Sequence, residues 1–258
     1  MSKIYQPAGR AREYSPLALN IYSGCTHHCA YCYVPRMLNR FNSNYKHDDC
    51  HPQVDFKALE KSAQQYQGCD KQILLSFTGD PYCGVSPETT RRVLEILHFY
   101  GHKVAILTKG GARCLADTDI FRKFGDRIKI GATLTFDNDT DSKEWEPGAA
   151  MPSERIDTLR LLAENGIKTW VSFEPVIIPE QSLRMLETVA DFVDHVKIGK
   201  LNNYKGLDSK IDWSSFIFEA VRICREKHLK FYIKKDLQIW NRGVYLSGDE
   251  INEDFLNL

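Results

Sequence analysis

Short runs of β-branched and aliphatic residues alternate with amphipathic segments along nearly the whole chain. The runs fall at residues 17–22, 73–78, 103–108, 128–135, 168–173, 195–199 and 230–233, and each reads as a buried strand bounded by turn residues. Between them, apolar residues recur every three or four positions. Val93, Leu94 and Leu97 share a helical face that follows Ser86-Pro87-Glu88 and stops before Gly101; that order is a serine cap, a proline at the first helical position and an acid in the first turn. A second helix opens at Ser153, turns Ile156, Leu159 and Leu162 inward and closes at Asn165-Gly166, and a third, capped by Asp212, buries Trp213, Phe216, Ala220 and Ile223. Strands and helices in this alternation predict an α/β fold with a parallel sheet and crossover helices, in the form of a partial or nearly closed TIM-like barrel. Such barrels carry their chemistry at the C-terminal ends of the strands. Residues 39–53 are polar and aperiodic, which predicts a long excursion able to cover that end.

At 258 residues the chain suffices for one α/β domain with a sizeable core. We assign residues 1–14 to an N-terminal arm and 15–258 to a single domain with a βα/β extension at its end. Lys and Arg together number 34, as do Asp and Glu, so the whole-chain field gives no reason for strong non-specific nucleic-acid binding. The first forty residues are locally basic, with Lys3, Arg10, Arg12, Arg36 and Arg40 against Glu13 alone. A phosphate-contacting edge and a solvated arm both fit that pattern. No apolar run is long enough to span a bilayer and the N-terminus lacks a secretory core. A cytoplasmic protein with reduced thiols and no membrane partner is therefore expected.

The cysteines change the picture most. Three of the eight stand in Cys25-Thr-His-His-Cys29-Ala-Tyr-Cys32, a CX3CX2C spacing that offers three thiolates from one loop. Three thiolates bind three irons of a [4Fe-4S] cube and leave the fourth open to a non-protein ligand. A zinc site would want four closed ligands, and His27 or His28, caught between ligand cysteines, is poorly placed to supply the fourth. Of the others, Cys50, Cys69, Cys83, Cys114 and Cys224, Cys224 lies on an apolar helical face and reads as core; Cys83 lies near motif residues.

This loop, with a β-type run and Gly24 before it and Tyr31 ahead of the third cysteine, resembles that of the radical S-adenosylmethionine (SAM) superfamily. Residues 20–33, Thr78-Gly79-Asp80-Pro81-Tyr82 and Thr108-Lys109 are further similar to the spore photoproduct lyase-like group, also called DNA repair photolyase-like. The resemblance implies a (β/α)6 partial barrel, a [4Fe-4S] cluster on Cys25, Cys29 and Cys32, and SAM bound at the open iron. It also implies an electron donor such as flavodoxin or ferredoxin. One electron then cleaves SAM, and a 5'-deoxyadenosyl radical takes hydrogen from the substrate.

Carried over position by position, the resemblance gives Tyr31 a place beside adenine. It gives Asp80 the SAM amino group, although many members have a Gly-Gly-Glu-like segment there and Gly-Asp-Pro is also ordinary turn chemistry. Thr135, in preference to Asp137, falls to the ribose, and Glu174, just before a strand-breaking proline, to ribose or substrate hydroxyls. Lys109 suits a carboxylate or phosphate, and Lys197, Lys200 and Asn202 are substrate candidates; solvent exposure or loop chemistry accounts for these four equally well.

The lyase uses a donor cysteine beside the Thr-X-Asp segment, where Phe77 stands here; Cys83, close by in sequence, is the candidate substitute. The short chain and balanced charge also depart from that enzyme. The reading that absorbs these departures is radical chemistry on a thymine-derived base in DNA or a modified nucleotide, as isomerisation of a C5-substituted (aminoacyl) thymidine in viral DNA hypermodification. Thymine-dimer repair, radical modification of peptide or RNA, and a non-catalytic metal-binding module are the alternatives.

Overall fold

A computed structural model describes residues 3–41, 45–84, 87–202 and 204–258. Nine strands occur among them: β1 (Leu17–Leu19), β2 (Tyr22–Ser23), β3 (His51–Pro52), β4 (Gln72–Leu75), β5 (Lys103–Thr108), β6 (Ile128–Thr133), β7 (Lys168–Val176), β8 (His195–Lys200) and β9 (Lys230–Ile233). Seven form one parallel sheet in the order β1-β4-β5-β6-β7-β8-β9, as repeated βα units require. The first six agree in number with the expected six-stranded core, and β9 continues the sheet beyond β8.

Helices Pro87–Phe99, Pro152–Glu164 and Trp213–Glu226 bury the faces expected of them, including Val93, Leu97, Leu159, Phe216 and Cys224. Asp212 caps the last by accepting from Ser215 N. The helix at 152 begins one residue before the expected Ser153: Pro152 occupies its first turn and no side chain caps it, because proline's missing N–H needs no acceptor there. Ser86 lies outside the described residues. β1 stops at Leu19, since Asn20 turns its Oδ1 to accept from Phe77 N and Thr78 N, 2.8 and 3.3 Å away.

Inside the curved sheet the core is small: Leu74, Ala105 and Trp170, with Tyr14, Phe77 and Leu107. The Trp170 ring lies where a Cβ on Gly131 would stand, so a side chain at 131 would displace it. The sheet ends β1 and β9 are bridged by residues 4–14. Tyr5 pairs antiparallel with Ala18 on β1, while Glu13, 2% exposed, accepts from Tyr232 Oη of β9 at 2.7 Å and from Lys235 N at 2.8 Å. The arm is inlaid at Ile4, Pro7 and Glu13, while Lys3, Gln6 and residues 8–10 are exposed. The end of the chain closes the opposite face, where Leu256 O accepts from Lys129 Nζ, Leu258 O from Lys103 Nζ, and Leu258 N donates to Gln72 Oε1.

The excursion after the cluster loop folds back on it. Tyr22 and Ser23 pair with Pro52 and His51, and Gly24, at φ +76°, has the Asp49 carbonyl where a Cβ would be, so only glycine fits. Cys50 and Cys83 are joined by a disulfide, which corrects the expectation of reduced thiols for this pair. Both are buried, and it is this return of the excursion that brings them together across 33 residues.

Candidate active site

A cavity of about 600 Å³ opens at the C-terminal ends of the strands, with Cys25, Cys29 and Cys32 on its wall beside Asp80, Thr108, Lys109, Glu174 and Lys200. All three cysteines are free. Burial pushes the Cys25 thiol up to about 12 and the Cys29 thiol to about 11, with neighbouring Asp80 adding to the first. Such thiols become thiolates when a metal supplies the compensating charge. Three cysteines outside any disulfide, on one short loop that lines a cavity, are the donor set for a cluster with one iron left open.

The loop is held from behind by residues 145–155. Ala30 N donates to Trp145 O, and Gly148 N to His27 O; a Cβ on Gly148 would stand on Thr26 O. Tyr31 Oη donates to Glu146 and also pairs with Thr135 Oγ1 at 3.2 Å. Glu146, fully buried, accepts from Arg155 at 2.5 Å, whose Nε and other terminal nitrogen donate to Ala150 O and Thr133 O at 2.7 and 3.0 Å. Burial opposes the charge on Glu146, yet Lys109 and Arg155 keep its carboxyl below the ordinary value.

Asp80 is a hub. It accepts from Thr108 Oγ1 at 2.6 Å, Lys109 N at 2.7 Å and Tyr82 N at 2.7 Å. His27 Nε2 stands 3.1 Å from Oδ2, the oxygen that also accepts from Lys109 N, near enough for ion pairing though not aligned as a hydrogen bond. Burial works against the carboxylate, but His27, Thr108 and the Lys109 amide bring its pKa down to about 2. Across the cavity Glu174 Oε2 accepts from Tyr14 Oη at 2.5 Å and Lys234 Nζ at 2.6 Å, which leaves Oε1 with no partner among the described residues.

The structure sorts the expected site residues. Asp80, Glu174, Lys109, Lys200, Asn202 and Tyr31 all line the cavity, Tyr31 with its hydroxyl turned back to Glu146. Thr135 does not: it lies two residues beyond the end of β6 with its hydroxyl engaged with Tyr31, and Thr133, the last residue of β6, lines the cavity. Lys197 lies deeper, donating to Glu13 O and Tyr14 O at 2.7 and 3.2 Å; burial first, then Lys234, lowers its pKa to about 7. Cys83 is bonded to Cys50 and outside the lining. Of the basic residues near the N-terminus, Arg10, Arg36 and Arg40 reach the cavity, whereas Arg12 pairs with Asp254. Sequence reasoning missed Glu146, Arg155, Tyr14 and Lys234, of which only Lys234, directly after the last strand, carried a positional signal.

A parallel partial barrel whose strand ends present three free cysteines and a carboxylate hub defines an iron–sulfur enzyme class. Residues 19–193 match the family model of the Radical SAM superfamily, and the chain belongs to that superfamily, whose members use a [4Fe-4S] cluster and SAM. It is 27% identical over 228 residues to the uncharacterized protein ORF301 of Acidianus two-tailed virus, covering 81% of this chain and 74% of that one. It is 30% identical over 161 residues to the uncharacterized protein MJ0683 of Methanocaldococcus jannaschii, 62% of this chain and 60% of that protein. Among solved structures, spore photoproduct lyase complexed with dinucleoside spore photoproduct superposes with a TM-score of 0.67 at 14% identity over 88% of this chain and 78% of that one. SuiB of Streptococcus suis bound to S-adenosylmethionine gives 0.65 at 14% identity over 89% and 53%. These two likenesses concern the fold. No helix among the described residues is long and apolar enough to cross a membrane.

Proposed function

We propose that this radical SAM enzyme abstracts hydrogen from a thymine-derived base in DNA and isomerises a C5-substituted (aminoacyl) thymidine, as in viral DNA hypermodification. The observation that carries the reading is the charge of the cavity. Among the described residues, Arg10, Arg36, Arg40, Lys109, Lys200 and Lys234 line it against Asp80 and Glu174; Lys234 pairs with Glu174, Lys200 with Asp208 and Arg10 with Asp236, and Arg36, Arg40 and Lys109 form its cationic edge in a chain whose formal charge is zero. Clustered guanidinium groups suit phosphodiesters, and half-exposed Tyr33 with Phe77 adds π-faces for an unstacked base.

When bound, the cluster and SAM supply the 5'-deoxyadenosyl radical. Among the described residues, no free thiol besides the three of the cluster loop lines the cavity. That favours a reaction returning the abstracted hydrogen to the same substrate, hence isomerisation, over one drawing on a donor cysteine. Similarity to an uncharacterized viral protein supports the viral setting of this reading. Thymine-dimer repair is the second reading, favoured by the fold shared with spore photoproduct lyase complexed with dinucleoside spore photoproduct.

The test is an anaerobic, reduced reaction with SAM and DNA bearing aminoacylated thymidine, followed by mass spectrometry of 5'-deoxyadenosine and the digested nucleosides. A mass-neutral shift in nucleoside retention that requires SAM and Cys25 is expected. SAM cleavage with no nucleoside change overturns the substrate and directs the assay to dimer-containing DNA, RNA or peptides; no cleavage under any condition supports the metal module.

A further inference from the structure

The segment 45–49 carries a group that none of the above uses. His47 lines the cavity, and its Nε2 stands 3.7 Å from Cys32 Sγ, within reach of an N–H to sulfur hydrogen bond. Its Nδ1 is 2.9 Å from Tyr45 Oη, and Tyr45 Oη accepts from Gly24 N at 3.1 Å. With the Gly24 N–H accepted, the phenol oxygen still has its proton and a second lone pair for Nδ1, and the arrangement in which it donates that proton is the one that leaves a proton on Nε2. A neutral imidazole whose Nδ1 accepts carries its own proton on Nε2, and here that atom faces Cys32. Cys25 N reaches His47 O at 3.4 Å, so the segment is tied to the cluster loop by backbone as well as by side chains. The fit of Gly24 under Asp49 and the Cys50–Cys83 disulfide fasten it further along.

We propose that His47 is a positioning residue for the cluster, donating Nε2–H to the Cys32 thiolate, with Tyr45 fixing the tautomer. Hydrogen bonds to cluster sulfurs stabilise the more negative, reduced state and set the reduction potential, and outer partners orient the group that makes them. His47 therefore eases acceptance of the electron that SAM cleavage consumes.

The experiment is an EPR-monitored redox titration of the cluster-loaded protein under anaerobic conditions, with iron and sulfide counted per chain. In His47→Leu the ratio of reduced to oxidised cluster at a fixed ambient potential should fall about tenfold, equivalent to about 59 mV for a one-electron couple. His47→Gln, which keeps a donor, should recover part of this, and Tyr45→Phe should shift the potential the same way by less. Unchanged potentials in His47→Leu and Tyr45→Phe at full cluster content overturn the proposal. So does a directly iron-bound histidine nitrogen in the ¹⁵N hyperfine spectrum that vanishes in His47→Leu, since His47 would then be a ligand. Should His47→Leu lose its cluster, Tyr45→Phe, which retains the imidazole, decides between the same outcomes.

Discussion

Two sets of buried charge flank the cavity, and they are arranged differently. Behind the cluster loop, Glu146 and Arg155 form a closed set: both carboxylate oxygens and three guanidinium nitrogens have protein partners, and the pair is completely buried. Along the seam where the arm meets β9, Glu174 is 16% exposed at the side chain, places both bonds on one oxygen and borders the cavity. A buried ion pair with every partner met is spent on geometry, in this case the position of Tyr31 and its loop. One with an oxygen to spare beside a cavity is available to a ligand. The same chemistry thus yields a wall in one place and a binding group in the other.

The comparison breaks most sharply at the loop that the wall supports. Alanine at Cys25, Cys29 or Cys32 should abolish both the cluster, read by its visible absorbance and iron content, and SAM cleavage; turnover in the triple variant would remove the basis of the assignment. Glu146→Gln should cost about 3–5 kcal/mol in denaturant unfolding, because Arg155 is left buried without its anion, and should lower cluster occupancy. Glu174→Gln should cost less, about 1–3 kcal/mol, since the cavity admits water. Its main effect should be on SAM or substrate binding, measured by calorimetry with the cluster intact. Equal stability losses at 146 and 174, with binding untouched, would erase the distinction. Arg36→Gln combined with Arg40→Gln should flatten the salt dependence of oligonucleotide binding by about 1.4 in log–log slope for a single strand, with SAM cleavage in the absence of DNA unaffected.

The smallest effect belongs to the seam's interior. Lys197 has a pKa of about 7 in the fold, brought down by burial and by Lys234, below that of the unfolded chain. Between pH 7 and about 10 the unfolded state thus binds more protons, and stability contributed through this group rises with pH. Lys197→Met should remove that rise, so the difference in unfolding free energy between the parent and Lys197→Met should grow steadily in the parent's favour from pH 7 to 10. A pH-independent difference would place the lysine's charge elsewhere.

What could be read from the sequence was whatever is local. Strand runs, the helix faces at Val93 and Phe216, the Asp212 cap and the CX3CX2C loop each need only neighbours within a turn or two. The support of the site is not local. Tyr31 meets Glu146 across 115 residues, and neither carries a mark that separates it from other tyrosines and glutamates. His47 lay within a stretch legible only as polar, and its role depends on a return of the chain that Gly24 permits. Lys197 and Thr135 stood at plausible positions, but depth along the strand and a competing hydroxyl decided their contacts.

The inlaid arm has a consequence in time. Glu13 finds its acceptor role only with Tyr232 and Lys235, 219 and 222 residues further along. At synthesis rates of about 5–20 residues per second, Glu13 precedes Tyr232 by roughly 10–45 s. Tyr31 waits for Glu146 for about half as long. During that interval the three cysteines are exposed on a loop with no wall behind it, so a cluster delivered early would meet a flexible thiol peptide, whereas one delivered after β9 would meet a finished socket. The order of the chain therefore completes the socket for the metal centre late in synthesis.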